Sequence, residues 1–241
     1  MDDLDSVQVY KGECFDIWNP FNKKKYASIK KEIAEEFLQA KRLNSKKLNG
    51  THNIYKREHI EDIDTLAFKK TRIAFRDIAR ATDPRTLISV ILPPNTICVH
   101  NAPVVHISPT TPELQLYLIG IFSSLIADWY IKLFVEAHVQ FYILYSLPIP
   151  NFESNSELCE RIVNIASRLS SMNILDKENL KSKDWKLLDE HEKNNLIYEL
   201  DALVAHLYKL EEKDIIYIFK NFHIGLNYED RLENVLRFFH S

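Results

Sequence analysis

Four arginines, Arg72, Arg76, Arg80 and Arg85, fall within fourteen residues, with apolar positions between them and Asp77 and Asp83 alongside. The planar guanidinium fork makes paired hydrogen bonds to guanine edges and to phosphate oxygens, so such a segment suits duplex DNA. Arg76, Arg80 and Arg85 are the expected DNA contacts, with Arg80 and Arg85 expected to be exposed around the Asp83-Pro84 turn. The alternative is an internal ion-pair cluster that knits strand to turn. Lys23, Lys24, Lys25, Lys69 and Lys70 are expected to position phosphates, which adds affinity but no sequence information. His100, Asn101, Gln140 and Tyr142 lie in segments able to flank a groove, or else are buried hydrogen-bonding residues.

Other chemistries find no support in the spacing. No two of the nine histidines stand at i, i+4, and no Cys–His spacing suits zinc; His100 and His106 are six residues apart. Asp201 with Glu211 and Lys213 imitates a nuclease pattern, but on a helix and its exit, where Glu and Lys are default residues. Asn19-Pro20-Phe21 lacks the second proline of the loop that grips a flipped adenine. The four glycines, Gly12, Gly50, Gly120 and Gly225, are never closer than 38 positions. Dinucleotide, phosphate and methyl-donor loops need glycines a few residues apart, so none of these cofactor sites is expected in this chain, and without a nucleophile–base–orienter set no catalytic residues are expected either.

Net charge is −3, unevenly spread. Residues 8–90 carry 18 Lys/Arg against 11 Asp/Glu, whereas residues 151–241 carry 12 against 17. A basic first third and an acidic tail suggest one face for an anionic partner. Three distant cysteines fit a reducing compartment. The start shows no basic region followed by an apolar stretch, so a cytoplasmic protein is expected. The longest strongly apolar uncharged stretch, 114–127, has 14 residues. Crossing a bilayer takes about 17–25, so no membrane partner is expected.

The elements that must position these residues follow from periodicity. Residues 7–18 read as extended; 29–41 read as a helix with Ile33, Phe37 and Leu38 on one side; 44–53 read as a loop. Short β-rich runs at 73–75, 87–92, 97–99 and 104–107 suggest strands. Thr111-Pro112-Glu113 opens a buried helix expected to run to Phe134, and 138–150 is expected to return as strand. Beyond 152, apolar stripes at Leu158–Leu169, Leu196–Leu207 and Ile215–Phe222 predict helices. A last helix is expected to open at Asn227 and bury Leu232, Val235, Leu236 and Phe239. The expected fold is α/β: a twisted mixed sheet around helix 112–134 in a module spanning 1–152, then a helical bundle over 153–241 packed on it.

The series RIAFRDIARATDPRTLISVILPP, CVHNAPVV, LYLIGIFSSLIADWYIKLF and HVQFYILYSLPIP, in that order, resembles one family. It is the carboxy-terminal target-recognition (specificity) domain of type IIG restriction–modification enzymes and related adenine-specific DNA methyltransferases of phage defence. VQVYKGECFDIWN resembles the strand that opens this module, with Glu13 where Lys is usual, and LDALVAHLYKLEEKDIIYIFKNF resembles its closing helices. Gln140 stands where many relatives carry Asn. The resemblance implies sequence-specific recognition of double-stranded DNA beside a methyltransferase catalytic domain, in cis or in trans. S-adenosylmethionine, and Mg where a nuclease is present, would belong to those other domains. The competing expectation is a protein-interaction module that docks a partner subunit without touching DNA.

Overall fold

Strands and helices segregate along the chain of the computed structural model, which describes residues 5–44, 60–107, 110–170, 188–222 and 228–241. The chain divides into two units, Met1–Phe75 with Val90–Thr110, and Arg76–Ser89 with Thr111–Ser241. The class is α/β. The strands are β1 (Ser6–Tyr10), β2 (Ala27–Lys30), β3 (Arg72–Phe75), β4 (Ser89–Leu92), β5 (Thr96–Cys98) and β6 (Val104–Val105). Among the described residues they form two three-stranded sheets, β2-β1-β5 and β4-β3-β6, where the sequence suggested one. The division into units also differs from a boundary after residue 152.

In the first unit, β1 pairs antiparallel with β2 (Val7↔Ile29) and parallel with β5 (Val9↔Ile97). Helix α1 (Lys31–Asn44) lays Ala34 and Leu38 on a core of Val7, Leu66 and Phe68. Ile33 and Phe37, expected on the packed side, are exposed instead. The buried stripe is Ala34–Leu38–Arg42, one turn apart each time; the long stem of buried Arg42 brings its guanidinium to Thr65 Oγ1 (2.8 Å) and Asp62 O (2.7 Å). The extended stretch expected to reach Trp18 ends at Tyr10. A 3₁₀ turn (Gly12–Cys14) follows, and Asp16 and Asn19 then exchange backbone hydrogen bonds across a tight turn with Trp18 at φ 64°. Asn19 Oδ1 accepts from Phe21 N (3.0 Å) and so serves that turn. Most of the loop expected over 44–53 lies outside the described residues.

The second unit is helical: α2 (Pro112–Ser123), α3 (Leu125–Lys132), α4 (Phe141–Leu144), α5 (Glu157–Leu169), α6 (Glu190–Leu207), α7 (Glu212–Lys220) and α8 (Glu229–Phe239). Thr111 caps α2 with Pro112 in its first turn, as its residue types require. The single helix expected to Phe134 is broken: α2 and α3 meet at a 62° bend. Ser124 causes it by adopting an extended backbone, capping Ala127 N with its hydroxyl (3.1 Å) and donating that hydroxyl to Ile121 O (2.7 Å). The strand expected over 138–150 is also corrected. Val139, Ile143, Leu144 and Leu147 are its buried positions, a helical spacing, and Gln140 O accepts from both Ile143 N and Leu144 N (3.0 Å each).

Four helices after residue 153 match the apolar stripes. On α8, Val235 is buried while Leu232, Leu236 and Phe239 are half-buried; Asn227 lies outside the described residues. No single helix among the described residues is long and apolar enough to cross a membrane.

Helix α2 packs closely on α5 at Gly120, where an added Cβ would lie 2.8 Å from Ile162 Cγ2. Ile162 is β-branched and has little freedom to give way. Gly120→Ala is therefore expected to destabilise the chain by about 1–3 kcal/mol, read as a lower urea midpoint with unchanged slope.

Candidate nucleic-acid interface

In the first unit, the end of β1 and the loop from it to β2 carry several lysines. Lys11 Nζ bonds Glu13 at 2.6 Å and lies 5.0 Å from the centre of the Tyr26 ring, while Lys23 Nζ stands 3.6 Å from the same carboxylate. The Lys11 ammonium, bonded to it, holds the Glu13 carboxyl below the usual carboxylate range, and Lys23 adds to this. Asn101 Oδ1 accepts from Gly12 N (3.4 Å), so this residue is committed to joining the two turns; His100 beside it is exposed. Lys23, Lys24, Lys25 and Lys70 are exposed. Lys69 differs: its ammonium is divided between Glu35 (2.7 Å) and Asp64 (2.8 Å), and its side chain is mostly covered. That pairing removes it as a phosphate ligand in this structure.

In the second unit, residues 77–79 run antiparallel to residues 137–139. Ala79 N donates to Ala137 O (3.2 Å), Val139 N donates to Asp77 O (2.7 Å), and Ile78 sits opposite His138. Side chains alternate along such a ladder, which puts Arg76, Ile78 and Arg80 on one face with Glu136, His138 and Gln140. Ala79 and Val139 point the other way and are buried. In this register Arg76 stands opposite Gln140, which leads into α4 and Tyr142, and Arg80 stands opposite Glu136 at the other end. Arg76 is half-buried; Arg80, Gln140 and Tyr142 are exposed.

The backbone of Arg80 is fixed on both sides. Its N–H donates to Asp83 Oδ2 (2.8 Å), and its carbonyl accepts from Asp83 N (3.1 Å) and Thr86 Oγ1 (2.8 Å). Among the described residues its side chain makes no hydrogen bond or ion pair. Gln140 is likewise the N-cap residue of α4 without using its amide for capping. Asp77 is engaged by His138 (3.1 Å) and Asp83 by the Arg80 backbone, so Asp83 supports an arginine through the main chain.

Arg85 has the opposite fate. Expected exposed, its side chain is 16% accessible and points inward. Nη2 donates to Ser123 O (2.9 Å) and Ser124 O (3.4 Å), and Nε lies 3.7 Å from Asp128 Oδ2. Burial lowers its pKa from the ordinary arginine value and the Asp128 carboxylate opposes that shift. The internal ion-pair alternative describes Arg85, because the bend at Ser124 leaves carbonyls that need a buried donor.

Two carboxylates complete this network: Asp128, which the sequence reading missed, and Asp201, weighed there only as part of a nuclease-like pattern. Asp128 Oδ1 accepts from Thr86 N (2.9 Å) and Leu87 N (2.6 Å). Asp201 Oδ1 accepts from Leu125 N (2.9 Å), and its Oδ2 from Arg231 Nη2 (2.6 Å) and Nε (2.9 Å). For Asp128 the signal was available: it is a lone acid within an apolar helical run, and such an acid is buried only with partners. Glu211, the other acid of the nuclease-like pattern, caps α7 and pairs with Lys213 (2.6 Å). Among the described residues no group of three or more His, Cys, Asp or Glu could hold a metal ion.

No family model matches the chain, and no curated protein matches it.

The two arginines should separate on substitution. Arg80→Ala is expected to change stability by no more than about 0.5 kcal/mol. Arg85→Ala removes the nearer cation from buried Asp128 and the donor to two carbonyls, and is expected to cost about 3–5 kcal/mol. Urea denaturation followed by circular dichroism measures both.

Proposed function

We propose that this chain is a double-stranded DNA recognition module that works with an adenine DNA methyltransferase catalytic domain, in cis or in trans. The observation that carries the reading is Arg80: a backbone fixed by Asp83 and Thr86 presents an exposed guanidinium with no internal partner among the described residues. A main chain so fixed leaves only side-chain ordering for contact with a base edge or phosphate to impose. Gln140 and Arg76, opposite one another on the ladder, supply further groups that pair with bases, and exposed Lys23, Lys24, Lys25 and Lys70 supply phosphate contacts. The resemblance of the ordered segments from RIAFRD to YSLPIP supports the restriction–modification setting. On this reading S-adenosylmethionine is held by the catalytic partner.

One observation favours a second reading. Ile33 and Phe37 are exposed one turn apart on α1, as a helix that docks a protein subunit would present them. DNA binding tests the two. Fluorescence anisotropy with a mixed-sequence duplex is expected to give affinity that falls steeply with salt. Arg80→Ala should either reduce the salt slope by about one, as a phosphate contact does, or weaken binding by roughly 5- to 150-fold at one base position, as a base contact does. Selection from a random-sequence duplex pool should return a defined site. Absence of salt-dependent duplex binding even at low ionic strength would overturn the proposal and leave the docking reading.

A further inference from the structure

The chain from the end of α3 through α4 exposes several large apolar and aromatic side chains, as does the strand segment at Ile78. Tyr142 is 71% exposed, Tyr145 62% and Ile78 62%, and Phe141, Phe134 and Leu133 are exposed with them. The rings of Phe141 and Tyr145, one turn apart, lie 5.4 Å from each other at 38°. Tyr130 Oη donates to Ser146 O (2.8 Å) and its ring lies 5.1 Å from that of Phe134, which brings the end of α3 beside α4. Single exposed apolar side chains are ordinary, but a cluster of this kind marks a contact surface.

Resting on the DNA-binding reading above, we propose that Phe141, Tyr142 and Tyr145 form a stacking platform for nucleobases, with Gln140 at its start and Arg76 opposite Gln140. Three features point to bases as the occupant. The first is charge. Residues 137–152 contain no Lys, Arg, Asp or Glu, although this unit holds most of the acids of the chain. On the ladder Asp77 is engaged by His138, and the exposed Glu136 stands opposite Arg80 at the end away from Gln140. Phosphates meet less repulsion here than along the acidic helices, and a neutral ring face is what an uncharged base requires.

The second feature is the kind of polar group at the border. Guanidinium and carboxamide groups are planar and make paired hydrogen bonds to base edges, whereas the rings accept any base on its π-face. Stacking and edge contacts from one surface suit an unstacked or kinked base step better than an intact stack. The third is stiffness. The turn that carries the rings is held by Tyr145 N to Phe141 O (2.8 Å) and Ser146 Oγ to Ile143 O (2.7 Å), and its underside is anchored by buried Ile143, Leu144 and Leu147. Little ordering is left for binding to impose.

The test uses the full chain, a mixed-sequence duplex for anisotropy, and the same duplex with bromodeoxyuridine for zero-length photocrosslinking. Irradiation is expected to join DNA to the peptide carrying Tyr142 and Tyr145. Tyr142→Ala and Tyr142→Leu are each expected to weaken binding by roughly 5- to 150-fold, while Tyr142→Phe, which keeps the π-face, binds as the native chain does. Tyr145→Ala, at a second exposed position, checks the same loss, and melting temperatures of all four variants should stay unchanged. If Arg80→Ala weakens binding but every tyrosine variant binds normally, the DNA reading stands and the platform fails. Normal binding by Tyr142→Leu also overturns stacking, because a merely apolar contact would suffice. Loss of self-association or of catalytic-domain capture in Tyr142→Ala, with DNA binding intact, assigns the surface to a protein and overturns the proposal. No duplex binding by the native chain removes the DNA reading and the platform together.

Discussion

A bend in the middle of a buried helical run sets the main physical demand on this protein. Where α2 gives way to α3 at 62°, the last carbonyls of one helix and the first N–H groups of the other lose their intrahelical partners. Each buried polar group left unmet costs about 1–3 kcal/mol. Ser124 meets part of the demand locally, Arg85 meets the carbonyls of Ser123 and Ser124, and Asp201 takes the N–H of Leu125. Arg231, from the last helix, then bonds Asp201, and Asp128 reaches back to the main chain of Thr86 and Leu87. Two arginines and two aspartates compensate one another, with Lys132 Nζ 3.9 Å from Asp128 as a further cation. Four distant stretches of sequence are joined through one polar cluster.

That cluster explains why arginines so close in sequence behave differently. Arg72 turns to the carbonyl of Thr96 within the first unit. Arg85 is drawn inward by the bend, and Thr86 and Leu87 are fixed beside it. With the end of the segment held, the short ladder of 77–79 with 137–139 leaves Arg80 and Ile78 on the outer face. The same segment is therefore used in different ways: Arg85 meets the demands of the fold, and among the described residues Arg80 is left with its guanidinium uncommitted. The rings of α4 stand on the same support, because Ile143, Leu144 and Leu147 are buried beneath them.

In the first unit, the lysines show a similar division. Lys23, Lys24 and Lys25 face solvent on the loop between β1 and β2, and Glu13 offsets part of their charge. Lys69 and Lys70 are neighbours in sequence, yet Lys69 lies between two carboxylates and Lys70 is exposed. A run of positive charge is thus not a run of equivalent ligands, since each ammonium is shaped by the acids the fold brings to it.

The sequence by itself determined the α/β class, most strands, the capped start of α2 and the helices after residue 153. Each follows from local spacing: hydroxyl, proline and acid at a helix start, or apolar stripes at 3.6-residue intervals. It also marked the segment from Arg72 to Arg85 and the edge residues Gln140 and Tyr142 as candidates. Only the tertiary structure decided which candidates face water. Ile33 and Phe37 exchanged places with Ala34 and Arg42 because either stripe on α1 could have packed, and the neighbouring elements chose. The strand expected at 138–150 became a helical turn because its buried positions are set by what lies beneath them. Arg85 went inward and Arg80 outward for a reason no local pattern carries: the orphaned carbonyls that claim an arginine lie 38 and 39 residues further along the chain.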